Sequence, residues 1–137
     1  MSLEERIERL QALFEKGPVK RTYGIELSFN GNGQAILDMP YKPDFDNSVG
    51  RIHGGVFATL MDYAGWFTVA AKYRHWLALV DLQIQLLEPA EKAHLRSIGE
   101  LVRAGQRLAM ARMEVRIEEG RLVAVGSGTF AVTSLPM

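Results

Sequence analysis

Residues 54–71 read Gly-Gly-Val-Phe-Ala-Thr-Leu-Met-Asp-Tyr-Ala-Gly-Trp-Phe-Thr-Val-Ala-Ala, an apolar run with one charged residue, Asp62. Its composition predicts a helix that is apolar on every side, and such a helix must be enclosed. The rest of the chain therefore has to wrap around it. An unpaired charge inside that enclosure is costly enough that it has a partner or a task.

Little else fits so tightly. The chain has 137 residues, 16 basic and 16 acidic, so its formal net charge is zero. That length suits one domain over 1–137 with a real core. The charge balance argues against a nucleic-acid or membrane-surface partner. No cysteine is present, which excludes disulfides, a thiol nucleophile and a thiolate zinc site, and suits a cytoplasmic protein. The start, Met-Ser-Leu-Glu-Glu-Arg, lacks the apolar stretch of a signal peptide. Asp62 and Lys72 interrupt the longest apolar runs before they reach membrane-spanning length.

Around the central segment the periodicity changes from helix to strand. Leu3, Ile7, Leu10 and Phe14 recur at helical spacing, Ser2 and Glu5 form a candidate capping box, and Gly17-Pro18 stops this helix, predicted over 2–15. Ile25, Leu27 and Phe29 alternate, Asn30 to Gly33 turns, and Ala35, Leu37 and Met39 alternate again. A loop over 40–53 leads into the central helix, predicted over 54–73. Four long strands follow, at 76–88, 93–103, 107–118 and 121–134. The expected architecture is α+β, with one buried helix wrapped by a curved antiparallel sheet of about six strands and a short helix in front.

The central helix carries the chemistry. Gly55, Thr59, Asp62 and Trp66 fall on one line of it. Gly54 and Gly55 leave the first N–H groups of the helix open to a ligand oxygen. Asp62 lies eight residues beyond Gly54, roughly 12 Å along the axis, too far for one carboxylate to reach the atom those amides hold. If the two act together, two helices run antiparallel across a two-fold axis, each N-terminus facing the other's Asp62. The active unit is then a dimer with two shared sites.

The pattern Asn47-x5-His53-Gly54-Gly55-x6-Asp62 resembles the motif of hot-dog acyl-CoA thioesterases of the phenylacetic-acid-degradation type, relatives of 4-hydroxybenzoyl-CoA thioesterase. The stretches Val80 to Ala90 and Gly120 to Phe130 resemble that family's strands, so the likeness runs over about residues 22–134. It implies a hot-dog fold and hydrolysis of an acyl-CoA to a free acid and CoA. Asp62 would attack the thioester or activate water from across the dimer interface. The Gly54 amide would bind the carbonyl oxygen, with Gly55 beside it. Asn47 would position water or carbonyl, and His53 would shape the loop. The family is dimeric at minimum and often tetrameric, and it uses no metal and no cofactor beyond the CoA of its substrate. One departure stands out: where many relatives carry a hydroxyl after the helix, this chain has Leu79 and Val80, so either the Asn47/Asp62 arrangement serves without it or another residue such as Thr59 or Thr68 supplies it.

Each of these residues also has a plainer reading. Asp62 can be a structural aspartate bonded to a loop amide, His53 a helix cap, and Asn47 a turn former. Phe57, Tyr63 and Trp66, with Thr59, are candidates to line the acyl site, though large aromatics are more often core. Arg103 and Arg107, near a turn with Lys92 in the same class, are candidates for the phosphates of CoA or are solvated surface. His75 and His94 read as surface. Gly31-Asn-Gly33 and Gly126-Ser-Gly128 lack the spacing of a dinucleotide fingerprint or a nucleophile elbow, and no HExxH pattern is present. Two rival functions remain. A hot-dog hydratase or dehydratase needs a His-Phe-Pro-Gly pattern, which is missing. A non-catalytic acyl-CoA sensor needs a DNA-binding module, for which residues 1–22 are too short. The acyl group itself is not specified.

Overall fold

A computed structural model describes all 137 residues. In chain order the elements are α1 (Leu3–Lys16), α2 (Pro18–Tyr23), β1 (Glu26–Phe29), β2 (Ala35–Met39), a single 3-10 turn (Pro43–Phe45), α3 (Gly54–Ala70), β3 (His75–Leu86), β4 (Leu95–Ala104), β5 (Leu108–Ile117) and β6 (Leu122–Pro136). The strands form one six-stranded antiparallel sheet in the order β1-β2-β4-β5-β6-β3. The sheet curls around α3, which packs on five of its strands.

The buried set explains the curl. Along β5 the residues alternate, Ala109, Ala111, Met113, Val115 and Ile117 inward and the others outward. Small residues let the helix lie directly on the sheet. A Cβ built on Gly99 of β4 would sit 2.3 Å from the Ala64 carbonyl oxygen of α3 and 2.4 Å from Thr68 Oγ1. Leu60, Met61 and Ala64 of α3 are fully buried against the inner face.

Two elements differ from the expectation. Gly17-Pro18 ends α1 as predicted, but Pro18 also opens α2, whose last turn is closed by Gly24 at φ 70°. Proline is pre-set for the first position of a helix and glycine for the left-handed cap. The central helix stops at Ala70, where a turn over 71–72 replaces its predicted last turn. The Ser2–Glu5 capping box forms in both directions.

β3 is an edge strand, paired only with β6. It and the residue after it leave Trp76, Leu79, Val80, Leu86 and Leu87 exposed, Val80 by 56%. A long edge strand with exposed apolar side chains can pair with another strand.

Candidate active site

The loop ahead of α3 is tied by its own side chains. Asn47 Oδ1 accepts from the N–H groups of Val49 and Arg51, both at 3.1 Å, and Gly50 turns the chain at φ 78°. The His53 N–H donates to the Phe45 carbonyl, and Ile52 N–H to Ala90. Asn47 therefore holds the loop through its oxygen, and its amide Nδ2 has no partner in the chain.

His53 is the N-cap of α3, and its Nδ1 accepts from the Gly55 N–H at 2.9 Å. This geometry fixes Nδ1 as the unprotonated nitrogen. The next N–H, of Val56, donates to the His53 carbonyl. The Gly54 N–H is left as the one donor at this helix start without a partner. Of the two glycines, only Gly54 is open to a ligand oxygen.

Asp62 sits in the middle of α3, half-buried. It makes no hydrogen bond and no ion pair within the chain, and burial alone pushes its pKa above the ordinary carboxylate value of 3.8. The plain reading, an aspartate bonded to its own loop, does not apply. A carboxylate stripped of solvent and unpartnered is a stronger base and nucleophile than one in water. Thr59, one turn earlier, donates to the Gly55 carbonyl at 3.2 Å and shares a hydrogen bond of 3.2 Å with the Tyr23 hydroxyl. Tyr63 follows Asp62; burial first, then the charge of Asp62 and the proximity of Tyr23, raise its pKa and keep it a donor.

Tyr23 was not legible beforehand, because it lies on α2. Its ring stacks on Phe45 with centroids 4.6 Å apart and planes 3° from parallel. The pair forms an aromatic wall reached through Thr59. The only sequence signal was the Pro18-to-Gly24 bracket of a short helix.

The other candidates fall into three groups. Thr59 lies on the Asp62 stripe of α3, and Tyr63 is beside it with its ring packed on Phe14 and Phe67. Phe57 and Trp66 are core: Phe57 is buried, and the Trp66 indole N–H donates to the Leu77 carbonyl at 2.7 Å. Thr68 is buried too, its Oγ1 accepting from Ala35 N–H at 2.9 Å, so Thr59 is the hydroxyl of the two that remains near Asp62. Arg103 and Arg107 flank the β4–β5 turn, which the Tyr73 hydroxyl ties to the C-terminal end of α3 by a 2.7 Å bond to Gly105. Within one chain that is the end away from Gly54. His75 is exposed, and His94 pairs with Asp38 at 2.8 Å on the sheet surface. No three His, Asp or Glu side chains gather to hold a metal ion.

A long helix wrapped by a six-stranded antiparallel sheet, with a short helix in front, is the hot-dog fold of thioesterases. The chain belongs to the thioesterase superfamily, whose sequence profile matches residues 49–124, more than half of its length. It is 26% identical over 132 residues to the medium/long-chain acyl-CoA thioesterase YigI of Escherichia coli, covering 84% of this chain and 85% of that one. The E. coli PaaI protein from the phenylacetic acid degradation operon superposes with a TM-score of 0.90 at 18% identity, covering 98% of this chain and 99% of that one. The Bacillus halodurans BH2602 protein, solved with CoA, superposes at 0.80 with 25% identity, covering 96% and 91%. The profile spans α3, the motif glycines and Asp62, and stops short of Asn47. No helix of the chain is long and apolar enough to cross a membrane.

Proposed function

We propose that the chain hydrolyses acyl-CoA thioesters to a free carboxylic acid and CoA, at a site that two copies build together. The observation carrying this is Asp62, an unpartnered carboxylate on the apolar helix of a thioesterase-superfamily member. The acyl-CoA class is supported by the YigI relative and by the neighbour solved with CoA.

The thioester carbonyl oxygen accepts from the Gly54 N–H of one copy. As the carbonyl carbon is attacked, its oxygen gains charge, and a helix-start amide stabilises it by roughly 3–4 kcal/mol. Asp62 of the other copy takes a proton from water, whose oxygen bonds to the carbon, or attacks the carbon itself, in which case water afterwards cleaves the acyl–Asp62 anhydride to release the acid and restore the carboxylate. The C–S bond breaks and CoA leaves as its thiol once protonated. The Asn47 amide, which has no partner in the chain, would hold water or carbonyl.

The dimer follows from reach. Asp62 stands eight residues along α3 from Gly54, about 12 Å, so one chain cannot bring both to one carbon. Edge pairing of two β3 strands would cover Val80, Leu79 and Leu86 and lay the two α3 helices side by side. A tetramer would add contacts on other faces.

A thiol-release assay over short, medium, long and aryl acyl-CoAs tests the reaction. Wild type should release CoA from at least one class, and Asp62→Asn should release almost none. Binding without thiol release would point to a sensor, and loss of enoyl absorbance to a hydratase; either would overturn the reading.

A further inference from the structure

α1 is divided lengthwise by charge. Arg6, Arg9, Leu13 and Lys16 recur at spacings of three and four residues and share one stripe, while Glu4, Glu8 and Glu15 lie on another. Its third face, with Leu10 and Phe14, is core. The basic stripe is turned toward a cavity of about 780 Å³ between α1, the end of α3 and the start of β3. Arg74 and His75 complete the rim, and no acidic side chain lines it. None of these five bases is in an ion pair with a carboxylate. In a chain with 16 Lys and Arg against 16 Asp and Glu, four Arg and Lys side chains around one cavity with no Asp or Glu among its lining is an imbalance of placement.

The cavity is also built. Arg6 Nη1 donates to the Tyr73 carbonyl at 2.9 Å, tying α1 to the end of α3 and holding the guanidinium half-buried at the cavity wall. The remaining guanidinium N–H groups of Arg6 have no partner in the chain. Leu10, Leu13 and Ala70 give it an apolar floor. Its size is within the roughly 300–1,000 Å³ of small-molecule sites. Ala70 is eight residues past Asp62, about 12 Å further along α3, so the cavity is separate from the mid-helix carboxylate.

The geometry points to a second, non-catalytic site here for an amphipathic carboxylate: an acid head held by the arginine rim, with an aliphatic or aryl tail on the apolar floor. Like charges focused over a low-dielectric wall attract an anion, and an arginine fork matches a carboxylate. A bare anion would leave the floor wet, and an uncharged tail would leave the rim unneutralised. The inference does not depend on hydrolysis, because the ligand class is set by this cavity alone.

Calorimetric titration of the intact protein with dodecanoate, below its micellar concentration, tests it. The wild type and Asp62→Asn should show a site that Arg9→Glu/Arg74→Glu weakens by about tenfold or more, with turnover of the double variant unchanged. Dodecanol should bind this site at least about tenfold more weakly than dodecanoate. Arg9 and Arg74 are exposed, and thermal melting checks that the variant folds; if it does not, Lys16→Glu replaces it. Identical titrations of wild type and variant would overturn the proposal. So would CoA lacking an acyl chain binding there as tightly as dodecanoate, which would make the cavity a nucleotide-phosphate site. A shift in oligomeric state of the variant with no dodecanoate site in wild type would assign the face to a second copy instead.

Discussion

Replacing Asp62 by asparagine separates function from folding. The carboxylate has no partner within the chain, so the isosteric amide removes no intramolecular bond, and fold stability has nothing to lose there. Catalysis loses its base or nucleophile, a loss of about 10²–10⁴ in kcat, equivalent to about 3–5 kcal/mol in the barrier. Stability moves the other way. Burial holds Asp62 above its ordinary pKa, so the folded chain binds this proton more tightly than the unfolded chain. The folded state is therefore favoured below the ordinary carboxylate range, and that advantage is lost as pH rises through the elevated range. At neutral pH wild type bears the cost of an ionised, desolvated group and Asp62→Asn does not. The variant should melt at or above wild type at pH 7, with the difference shrinking toward pH 4. Activity of wild type should rise with pH through a pKa above 3.8. Thiol release at saturating acyl-CoA, with melting followed across pH, reads both. A variant that keeps wild-type kcat, or that melts lower at pH 7 than wild type, would refute the reasoning.

Three further outcomes are expected. Gly99→Ala would push a methyl to 2.3 Å from the Ala64 carbonyl oxygen, and the backbone on both sides cannot yield, so denaturant melts should show a loss of about 1–3 kcal/mol or more. His53→Ala removes the acceptor of the Gly55 N–H and should cost about 0.5–2 kcal/mol of stability, with thiol release reduced less than in Asp62→Asn. Val80→Lys charges the exposed β3 edge and should shift the protein toward monomer in sedimentation and lower kcat with it; a monomer of full activity would count against a shared site.

The architecture was legible because one apolar helix leaves few ways to be covered. The alternation in β2 and β5 then named the faces that cover it. Asp62 stood out for the same reason: it is the only charge in an otherwise neutral helix. α2 was hidden by a rule that cuts both ways, since Gly-Pro closes one helix and Pro opens the next. Tyr23 was hidden with it, because its approach to Thr59 is a tertiary contact with no periodic signal. Trp66 shared the helical line of Asp62, yet the Leu77 carbonyl claims its indole N–H. Spacing along a helix tells which residues share a face, but not which of them the sheet has already engaged. The helix-start position alone does not separate the two motif glycines; the family resemblance singled out Gly54, and the His53 cap gives the physical reason, since it engages the Gly55 N–H.

Complementation between two inactive variants tests the shared site most directly. Gly54→Pro removes the open N–H at the first position of α3, where proline is tolerated, and His53 already has the extended conformation that a following proline requires (φ −61°, ψ 138°). It should lose about 10²–10³ in kcat. Mixed and reassembled with Asp62→Asn, it forms heterodimers in which one site combines an intact Asp62 with an intact Gly54 from the other chain. With half the dimers mixed and one site in two restored, thiol release should recover to about a quarter of wild type. If the mixture stays as inactive as its parts although heterodimers form, carboxylate and amide act within one chain and the account is wrong.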